Sequence, residues 1–354
     1  MDLGINLGYW GTAGTDDLTA MKELTLAADD SGYRVGWLAE AYGSDVPSLA
    51  AYLSAFTKNL EWGSAVFQIP ARTPAMTAMT AATLDKITGG HFRLGLGVSG
   101  PQVSEGWHGV RFDDPLGRTR EYVDIIRLAF DRKNVEYHGK HFELPLPDGP
   151  GKALRLLLLP ERAQVPIYLA AIGPKNMELT GEIADGWLGI FVSPEHVPEQ
   201  LAQLRIGRQK AGHADGSLDG FDVVATAGLS LADDLDTGAN RLRANAALYI
   251  GGMGSRKKNF YNALARRMGF DEAAQQVQDL FLDRKHREAA MAVPRDFIDQ
   301  TALIGPREHV AERLHAYADA GVTTLSVAPA GDSLPDRVAA VRTLAEIMDS
   351  EGLR

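Results

Sequence analysis

The chain contains 354 residues, of which 45% are hydrophobic and 23% are charged. This balance excludes disordered and collagen-like proteins and leaves a globular protein with a substantial core. The formal net charge of −10 argues against nucleic acid as a partner, because binding a phosphate backbone requires an excess of Lys and Arg. The chain has no cysteine, which excludes disulfides, thiolate metal sites and a catalytic thiol, so any redox chemistry requires a bound cofactor.

The start of the chain gives no sign of export. Residues Met1 to Gly8 carry no basic segment and enter an apolar strand at once, unlike a secretory signal. No stretch reaches the roughly 18 consecutive apolar residues expected of a membrane span. We therefore expect a cytoplasmic protein without a membrane partner.

Eight short segments rich in Val, Ile and Leu are predicted strands, and segments of helical period lie between them. In chain order the predicted strands are Leu3–Gly8, Val35–Glu40, Glu61–Phe67, Phe92–Val98, Ile167–Ala171, Gly186–Phe191, Val223–Leu229 and Thr323–Val327. Eight such units fit a closed (β/α)8 TIM barrel better than an open doubly wound sheet of five or six strands. No strand is followed by a GxGxxG turn, which disfavours a Rossmann fold.

The segment from Thr73 to Ile87 is a predicted helix that follows the third strand. Thr73 is placed to cap it before a proline in the first turn, and Gly89–Gly90 ends it. Hydrophobic side chains recur at three- and four-residue intervals, at Met76, Met79 and Ile87 with Thr83 between them. This periodicity predicts an amphipathic helix that packs that face on the sheet.

Two insertions interrupt the alternation of strands and helices. Residues 133–162 contain a predicted hairpin around His138–Lys140 and a run rich in Pro and Gly, and residues 233–299 form a mostly helical insertion before the last βα unit. Insertions in such barrels usually cover the pocket at the carboxyl ends of the strands. No linker divides the chain, so we predict one domain over residues 1–354.

Active sites of βα barrels form where the strands end, so candidate residues are sought there. Glu40 ends the second strand and is a candidate for binding a ring N–H or for proton transfer. Asp45, a few residues on, is as well explained as a helix cap. After the fourth strand come Glu105 and His108, which are either pocket residues or a capping carboxylate and a structural histidine.

Two further strand ends are suited to binding a cofactor. In the third strand, small residues followed by β-branched ones from Gly63 onward would let the backbone approach a flat ring closely, although an ordinary buried strand explains them too. The start of a helix at Gly173–Pro174, with Lys175 beside it, is a potential phosphate site, although an ordinary capped helix explains it too. The basic run Arg256–Lys258 either meets an anionic cofactor tail or is solvated surface.

Several chemistries find no support in the sequence. The nine histidines are scattered, and no HExxH pair or carboxylate cluster has the spacing of metal ligands, so no metal site is predicted. A Walker lysine loop and a GxSxG elbow are also missing, which disfavours nucleotide hydrolysis and α/β-hydrolase chemistry.

Along nearly its whole length the chain resembles the luciferase-like flavin or deazaflavin oxidoreductases, and in particular their deazaflavin-dependent branch. The resemblance rests on a set of motifs: Trp37–Gly43, Gln68–Pro74, Leu94–Pro101, Ala171–Asn176, Ile183–Trp187 and Gly251–Gly254 with Asn259–Tyr261. It implies a βα barrel with a helical insertion, a homodimer, and coenzyme F420 as cofactor, with FMN as the alternative. It also implies a non-proline cis peptide at Ala65–Val66, in a bulge that backs the ring.

The same resemblance implies a cofactor-binding set. Glu40 would lie near the ring, Val98, Ser99 and Gly100 on the ribityl side, and the remaining members are Ala65, Val66, Gln68, Ala171, Ile172, Gly173, Pro174, Lys175 and Asn176. Similar deazaflavin-dependent sugar-phosphate dehydrogenases have a catalytic histidine where this chain has Ala41, which disfavours sugar-phosphate oxidation. The acid or base stays open among Glu40, Tyr42, Glu105 and His108.

The sequence therefore predicts an oxidoreductase that transfers hydride between coenzyme F420 and an unidentified small organic substrate. One alternative is an FMN-dependent luciferase-like monooxygenase that works with a separate flavin reductase. Another, of a different class, is a non-catalytic deazaflavin-binding protein. The identity of the cofactor distinguishes the predicted oxidoreductase from the monooxygenase, and turnover of a substrate distinguishes it from the non-catalytic binding protein.

Overall fold

The computed structural model describes residues 1–10 and 18–354, and parallel strands form its centre. The strands are β1 (Asp2–Gly8), β2 (Val35–Leu38), β3 (Glu61–Ser64), β4 (Phe67–Gln68), β5 (Phe92–Gly97), β6 (Tyr137–His138), β7 (Glu143–Leu144), β8 (Ile167–Ala170), β9 (Gly186–Ile190), β10 (Asp222–Leu231), β11 (Ala302–Gly305) and β12 (Thr324–Pro329). Each of the eight predicted strands coincides with one of these elements, apart from differences at the ends.

Eight of the strands close into a barrel. They follow the order β1, β2, β3, β5, β8, β9, β10 and β12, and β12 pairs in parallel with β1 to complete the ring. β4 continues the line of β3 and pairs with β5, while β11 pairs with β10 outside the ring. The predicted (β/α)8 TIM barrel is confirmed, and the carboxyl ends of its strands meet at one mouth.

Helices surround the barrel. They are α1 (Leu18–Asp30), α2 (Val46–Ser54), α3 (Pro74–Ile87), α4 (Pro101–Gly106), α5 (Pro115–Phe130), α6 (Pro174–Ile183), α7 (Val197–Lys210), α8 (Leu235–Ala247), α9 (Phe260–Arg267), α10 (Asp271–Leu282), α11 (His286–Met291), α12 (Arg295–Thr301), α13 (Arg307–Asp319) and α14 (Leu334–Ser350). A 3₁₀ turn at Ile69–Ala71 and a π-helical turn at Leu248–Gly252 complete the helical elements. Within residues 1–10 and 18–354, no helix is both long and apolar enough to cross a membrane.

The hydrophobic core has an inner and an outer layer. The inner layer fills the barrel and contains Trp37, Tyr168 and Leu188, together with Val35 and Val224. The outer layer lies between the strands and the helices. Because successive residues of a strand point to opposite faces, strands such as β2, β8, β9 and β10 supply side chains to both layers. The filled interior makes the barrel a packed core whose free surface for ligands is at the mouth.

The predicted packing face of α3 is wrong. Its buried side chains are mainly small ones, at Thr77, Ala78, Ala81, Ala82 and Leu84, whereas Met76, Met79 and Ile87 are 51%, 52% and 54% exposed, and Thr83 is exposed as well. The alanines allow the helix to lie close to the sheet, and the larger side chains point away from it. The predicted cap is confirmed, since the Thr73 side chain accepts a hydrogen bond from the Met76 N–H.

Both insertions have the predicted character. β6 and β7 pair as an antiparallel hairpin, and Glu121 of α5 accepts hydrogen bonds from the backbone N–H groups of Lys140, His141 and Phe142. The second insertion consists of α8 to α12 and has a hydrophobic cluster of its own. That cluster includes Phe191, which follows β9, so the insertion packs beside the barrel mouth.

Candidate active site

A buried carboxylate–guanidinium pair joins two neighbouring strand ends at the mouth. Glu40 follows β2, and Arg72 follows the 3₁₀ turn after β4. Nη1 of Arg72 donates to both carboxylate oxygens of Glu40, at 2.8 and 2.6 Å. The side chains are only 8% and 16% exposed. The structure thus places Glu40 where the sequence predicted it and gives it a partner, Arg72, that the prediction missed.

Burial raises the pKa of the Glu40 carboxyl above its usual value, and Asp45 raises it slightly further. The hydrogen bonds and the charge of Arg72 oppose this effect without cancelling it. A carboxyl whose pKa has moved toward neutrality exchanges protons more readily at physiological pH than an ordinary glutamate. Glu40 therefore has the electrostatic character of an acid or base.

His108 lies near Arg72 as well. It follows α4, it is half-buried, and its Nε2 atom is buried without a hydrogen-bond partner in residues 1–10 and 18–354. Burial lowers the pKa of the imidazole, and the charge of Arg72 lowers it further. The ring is consequently neutral at neutral pH, and one nitrogen is free to bind a ligand or a proton.

Two other carboxylates near the mouth are engaged in local structure. Asp45 accepts a hydrogen bond from the Ser48 N–H at 3.1 Å and caps α2. The exposed Glu105 accepts one from the Phe112 N–H at 3.1 Å. Capping α2 is therefore a sufficient explanation for Asp45. Glu105 makes no contact with Glu40 or Arg72, and its catalytic role stays a prediction. Tyr42, which is 63% exposed, lies on the same side of the mouth.

The peptide bond between Ala65 and Val66 is cis, as the resemblance implied. The bulge lies against glycines of β5, where any side chain would collide with it. A Cβ on Gly97 would lie 2.6 Å from Val66 Cγ2, and one on Gly95 would lie 1.9 Å from the Ser64 carbonyl oxygen. Gly95 and Gly97 of the Leu94–Pro101 motif are thus required by the close approach of their neighbours.

A hydrogen-bonded chain fixes the next part of the mouth. Ser99, whose φ of 61° is in the left-handed region, donates from Oγ to Gln68 Oε1 at 2.9 Å. The Nε2 group of the buried Gln68 donates to the Ala41 carbonyl oxygen at 2.6 Å. The loops that follow β2, β4 and β5 are therefore held together, and Val98, Ser99 and Gly100 lie beside the bulge.

The predicted phosphate loop is an uncapped helix start. Gly173 is the N-cap residue of α6 and offers no side chain to the first N–H groups, and the space where a Cβ would point is open. The exposed Lys175 forms an ion pair with Glu178 at 2.7 Å. Arg267 of α9, which the sequence analysis did not single out, donates to the Ile172 carbonyl oxygen at 3.2 Å. Free N–H groups and a guanidinium suit an anion.

The basic run in the insertion is already engaged. Arg256 forms an ion pair with Asp279, and the Lys258 ammonium lies 5.0 Å from the centre of the Phe112 ring. These contacts favour a structural role over contact with a cofactor tail. No group of three or more His, Asp and Glu residues that would suit a metal ion occurs in residues 1–10 and 18–354.

A closed barrel whose mouth combines a buried carboxyl, a glycine-backed bulge and an uncapped helix start is typical of enzymes that bind a flat cofactor bearing phosphate. Residues 3–324 match the family described as luciferase-like monooxygenase. The chain belongs to this family.

Comparisons with individual proteins are in line with this membership. A protein of Mycobacterium tuberculosis named as a coenzyme F420-dependent oxidoreductase is 41% identical over 332 residues, which cover 92% of this chain and 94% of that protein. The 5,10-methylenetetrahydromethanopterin reductase of Archaeoglobus fulgidus is 30% identical over 84% of this chain and 85% of its own length. The structure of a coenzyme F420-dependent tetrahydromethanopterin reductase from Methanopyrus kandleri superposes with a TM-score of 0.81 at 24% identity, over 98% of this chain and 97% of that one.

Proposed function

We propose that the protein is an oxidoreductase of one domain that transfers hydride between coenzyme F420 and a small organic substrate. The observation that carries the proposal is the Glu40–Arg72 pair, which lies at the barrel mouth beside the Ala65–Val66 bulge. A buried acid beside a surface that admits a flat ring is what hydride transfer coupled to proton transfer requires. The Mycobacterium tuberculosis relative, which is named for F420, supports the choice of cofactor.

The residues present suit a deazaflavin. The bulge offers backbone and small side chains to a flat ring, the Ser99–Gln68 pair offers polar groups to a ribityl chain, and the start of α6 with Arg267 suits phosphate. When bound, the deazaflavin supplies two-electron hydride chemistry without activating oxygen. The chain's own contribution is to bind, orient and exchange a proton.

In this proposal Glu40 gives the proton to the substrate, or takes it, according to the direction of the reaction. Arg72 holds the carboxylate through both oxygens, so the group does not rotate away from the substrate. Burial, together with the charge of Arg72, keeps His108 neutral, which leaves the imidazole as an acceptor for a substrate hydroxyl. Tyr42 and Glu105 are the other candidates for the proton transfer, and neither contacts the pair.

Titration with both cofactors tests the proposal. The purified protein is titrated with F420 and, separately, with FMN, and the dissociation constants are measured by fluorescence. We expect tighter binding of F420, since the proposal assigns the mouth to the deazaflavin. Tighter binding of FMN, with oxygen consumed in the presence of a flavin reductase, would support the monooxygenase alternative. Tight F420 binding without turnover of any carbonyl or alcohol substrate would support a non-catalytic binding protein.

We also propose that the protein is a homodimer that buries the outward face of α2 and α3. Tyr52 of α2 and Met76, Met79 and Ile87 of α3 are exposed there. Neither helix places an unpaired charge on this face: α2 has no charged residue, and on α3 Asp85 is buried while Lys86 pairs with Glu161. An uncharged apolar face is compatible with itself, so a second copy related by a twofold axis is the occupant that fits.

Light scattering of two matched variants tests this interface. Met79→Glu places a charge on the proposed face, and we expect it to give a monomer. Met291→Glu, at another exposed methionine, in α11, should leave the dimer intact. A wild-type monomer, or a dimer that survives Met79→Glu, would contradict the proposal.

A further inference from the structure

Aromatic side chains line part of the barrel mouth. The Tyr249 ring lies 5.5 Å from that of Phe191 and 4.8 Å from that of Tyr261. Tyr9 follows β1, and a Cβ on Gly43 would lie 3.8 Å from Tyr9 Cβ, so Tyr9 lies against the loop that bears Glu40 and Tyr42. We call Tyr9, Tyr42, Phe191, Tyr249 and Tyr261 the aromatic wall. It reaches from the end of β1 to the end of β9.

Three phenols of the aromatic wall, those of Tyr9, Tyr249 and Tyr261, are uncharged donors. Burial raises the pKa of Tyr9, and the phenols of Tyr249 and Tyr42 raise it further. Burial raises the pKa of Tyr249, and that of Tyr261 to about 12. In the described part of the chain, no charged side chain contributes to the shift of any of these three phenols. The aromatic wall therefore offers O–H donors and ring faces but no cation that would pair with an anionic substrate.

The backbone at the aromatic wall is unusual. Phe191 has a φ of 51°, which a bulky residue adopts only when its surroundings enforce it, and Tyr249 lies in the π-helical turn. Left-handed bulky residues and π-helical turns occur preferentially at functional sites. Both residues have their rings in the aromatic wall. The unusual backbone conformations therefore hold these two rings in position.

We propose that the aromatic wall recognises the substrate, and that the substrate is a neutral ketone or aldehyde, or the corresponding alcohol, rather than a phosphorylated or carboxylated compound. This inference rests on the proposed function and names its substrate class. A phenol O–H donates a hydrogen bond to the substrate oxygen, and the rings cover its apolar part. A charged substrate would lose its hydration at the aromatic wall without gaining a counter-ion.

The reaction balances with the groups named. In the reducing direction the carbonyl carbon gains the hydride that the reduced deazaflavin gives up, and the π electron pair of the C=O bond moves to oxygen. That oxygen takes a proton from Glu40, so the products are an alcohol, the oxidised cofactor and the Glu40 carboxylate. Phenol donors stabilise the negative charge that develops on the oxygen. In the oxidising direction each transfer is reversed.

The test uses matched neutral and charged probes on the protein loaded with oxidised F420. Acetophenone and cyclohexanone are compared with their ring-carboxylate analogues by isothermal titration. We expect the neutral ketones to bind and the carboxylates to bind at least tenfold more weakly. In Tyr9→Phe and Tyr249→Phe, which lose only the hydroxyl, we expect ketone binding about five- to tenfold weaker. Tyr137→Phe, on the distant hairpin, is the control and should bind ketones like the wild type.

The titration of F420 into the same proteins separates two kinds of failure. If the wild type does not bind F420, the proposed function fails. If it binds F420 but binds neither neutral ketone, or binds the carboxylates equally well, the substrate class is wrong while the proposed function stands. If both phenylalanine variants retain ketone affinity and F420 affinity, the aromatic wall does not recognise the substrate.

Discussion

Two buried glutamate–arginine pairs lie at opposite ends of the barrel and differ in their surroundings. At the amino ends of the strands, Glu61 accepts from Arg93 at 2.7 Å and from Arg34 at 2.9 Å. Arg93 also donates to Asp222 at 2.8 Å and to Tyr168 at 3.1 Å. At the mouth Glu40 has a single arginine, Arg72.

The electrostatic outcome differs accordingly. Burial tends to raise the pKa of Glu61, but hydrogen bonds and charges from Arg93 and Arg34 outweigh it, and the pKa is lowered. Burial dominates at Glu40, and its pKa is raised. At the amino ends of the strands, the charges thus form a closed network in which each one is paired. At the mouth, the raised pKa of Glu40 favours a change of protonation. The same residue types form a stabilising network at one end and, in the proposed function, the pair that exchanges a proton at the other.

The largest expected effect is a loss of stability on breaking the network at the amino ends of the strands. Arg93→Met should destabilise the protein by about 3–5 kcal/mol, because Glu61 and Asp222 would stay buried without their shared partner. The free energy of unfolding from urea titration measures the loss, and the F420 affinity of the folded variant should match the wild type. A loss below about 1 kcal/mol would mean that the network is solvated and that the two ends do not differ as described.

Glu40→Gln should lower activity and leave stability nearly unchanged, in contrast to Arg93→Met. We expect kcat to fall by about a hundredfold or more, since the residue can no longer exchange a proton, while F420 affinity and stability change little. Glu61→Gln is the matched control, and it should lower stability while leaving kcat of the folded enzyme unchanged. Full turnover by Glu40→Gln would remove Glu40 from the chemistry and leave it a structural partner of Arg72.

Acidification separates the two pairs along the pH axis. Because the pKa of Glu40 is raised above 4.5, oxidation that needs its ionised form should decline at a pH above the usual glutamate range. Because the pKa of Glu61 is lowered below 4.5, its contribution to stability is present above that value and is lost only as pH falls through the lowered pKa. Profiles of kcat/KM and of stability against pH should therefore fall in that order, and coincident declines would contradict the comparison.

The barrel was predictable because it depends on a pattern that repeats eight times. Each apolar strand followed by a helical segment indicates the same unit, so errors of a residue or two at strand ends do not change the architecture. The face of α3 was not predictable in this way. Its alanines and its larger side chains form two apolar faces, and periodicity alone does not say which of them meets the sheet and which meets another surface.

The site was predictable where a residue lies at the end of its predicted strand, as Glu40 does. Arg72 was missed although it lies within the Gln68–Pro74 motif, because its pairing depends on a side chain that follows the neighbouring strand. The available signal was that two adjacent parallel strands must end at the same mouth, so an acid after one and a base after the next will meet. Tyr9 follows β1 in the same manner. Tyr249 comes from the insertion, and no local pattern places it at the mouth.

The smallest expected effect concerns an exposed ion pair at the predicted phosphate loop. Lys175 is 79% exposed and pairs with Glu178, which Lys210 also contacts. Solvent screens such charges, so Lys175→Ala should weaken F420 binding only about two- to threefold, and less at high salt. Arg267→Ala, which removes the partly desolvated guanidinium beside Ile172, is the reference and should cost more. Equal losses of F420 affinity in the two variants would mean that solvent exposure does not decide how much each charge contributes to binding. Unchanged affinity of Lys175→Ala at low salt would exclude this residue from the cofactor site.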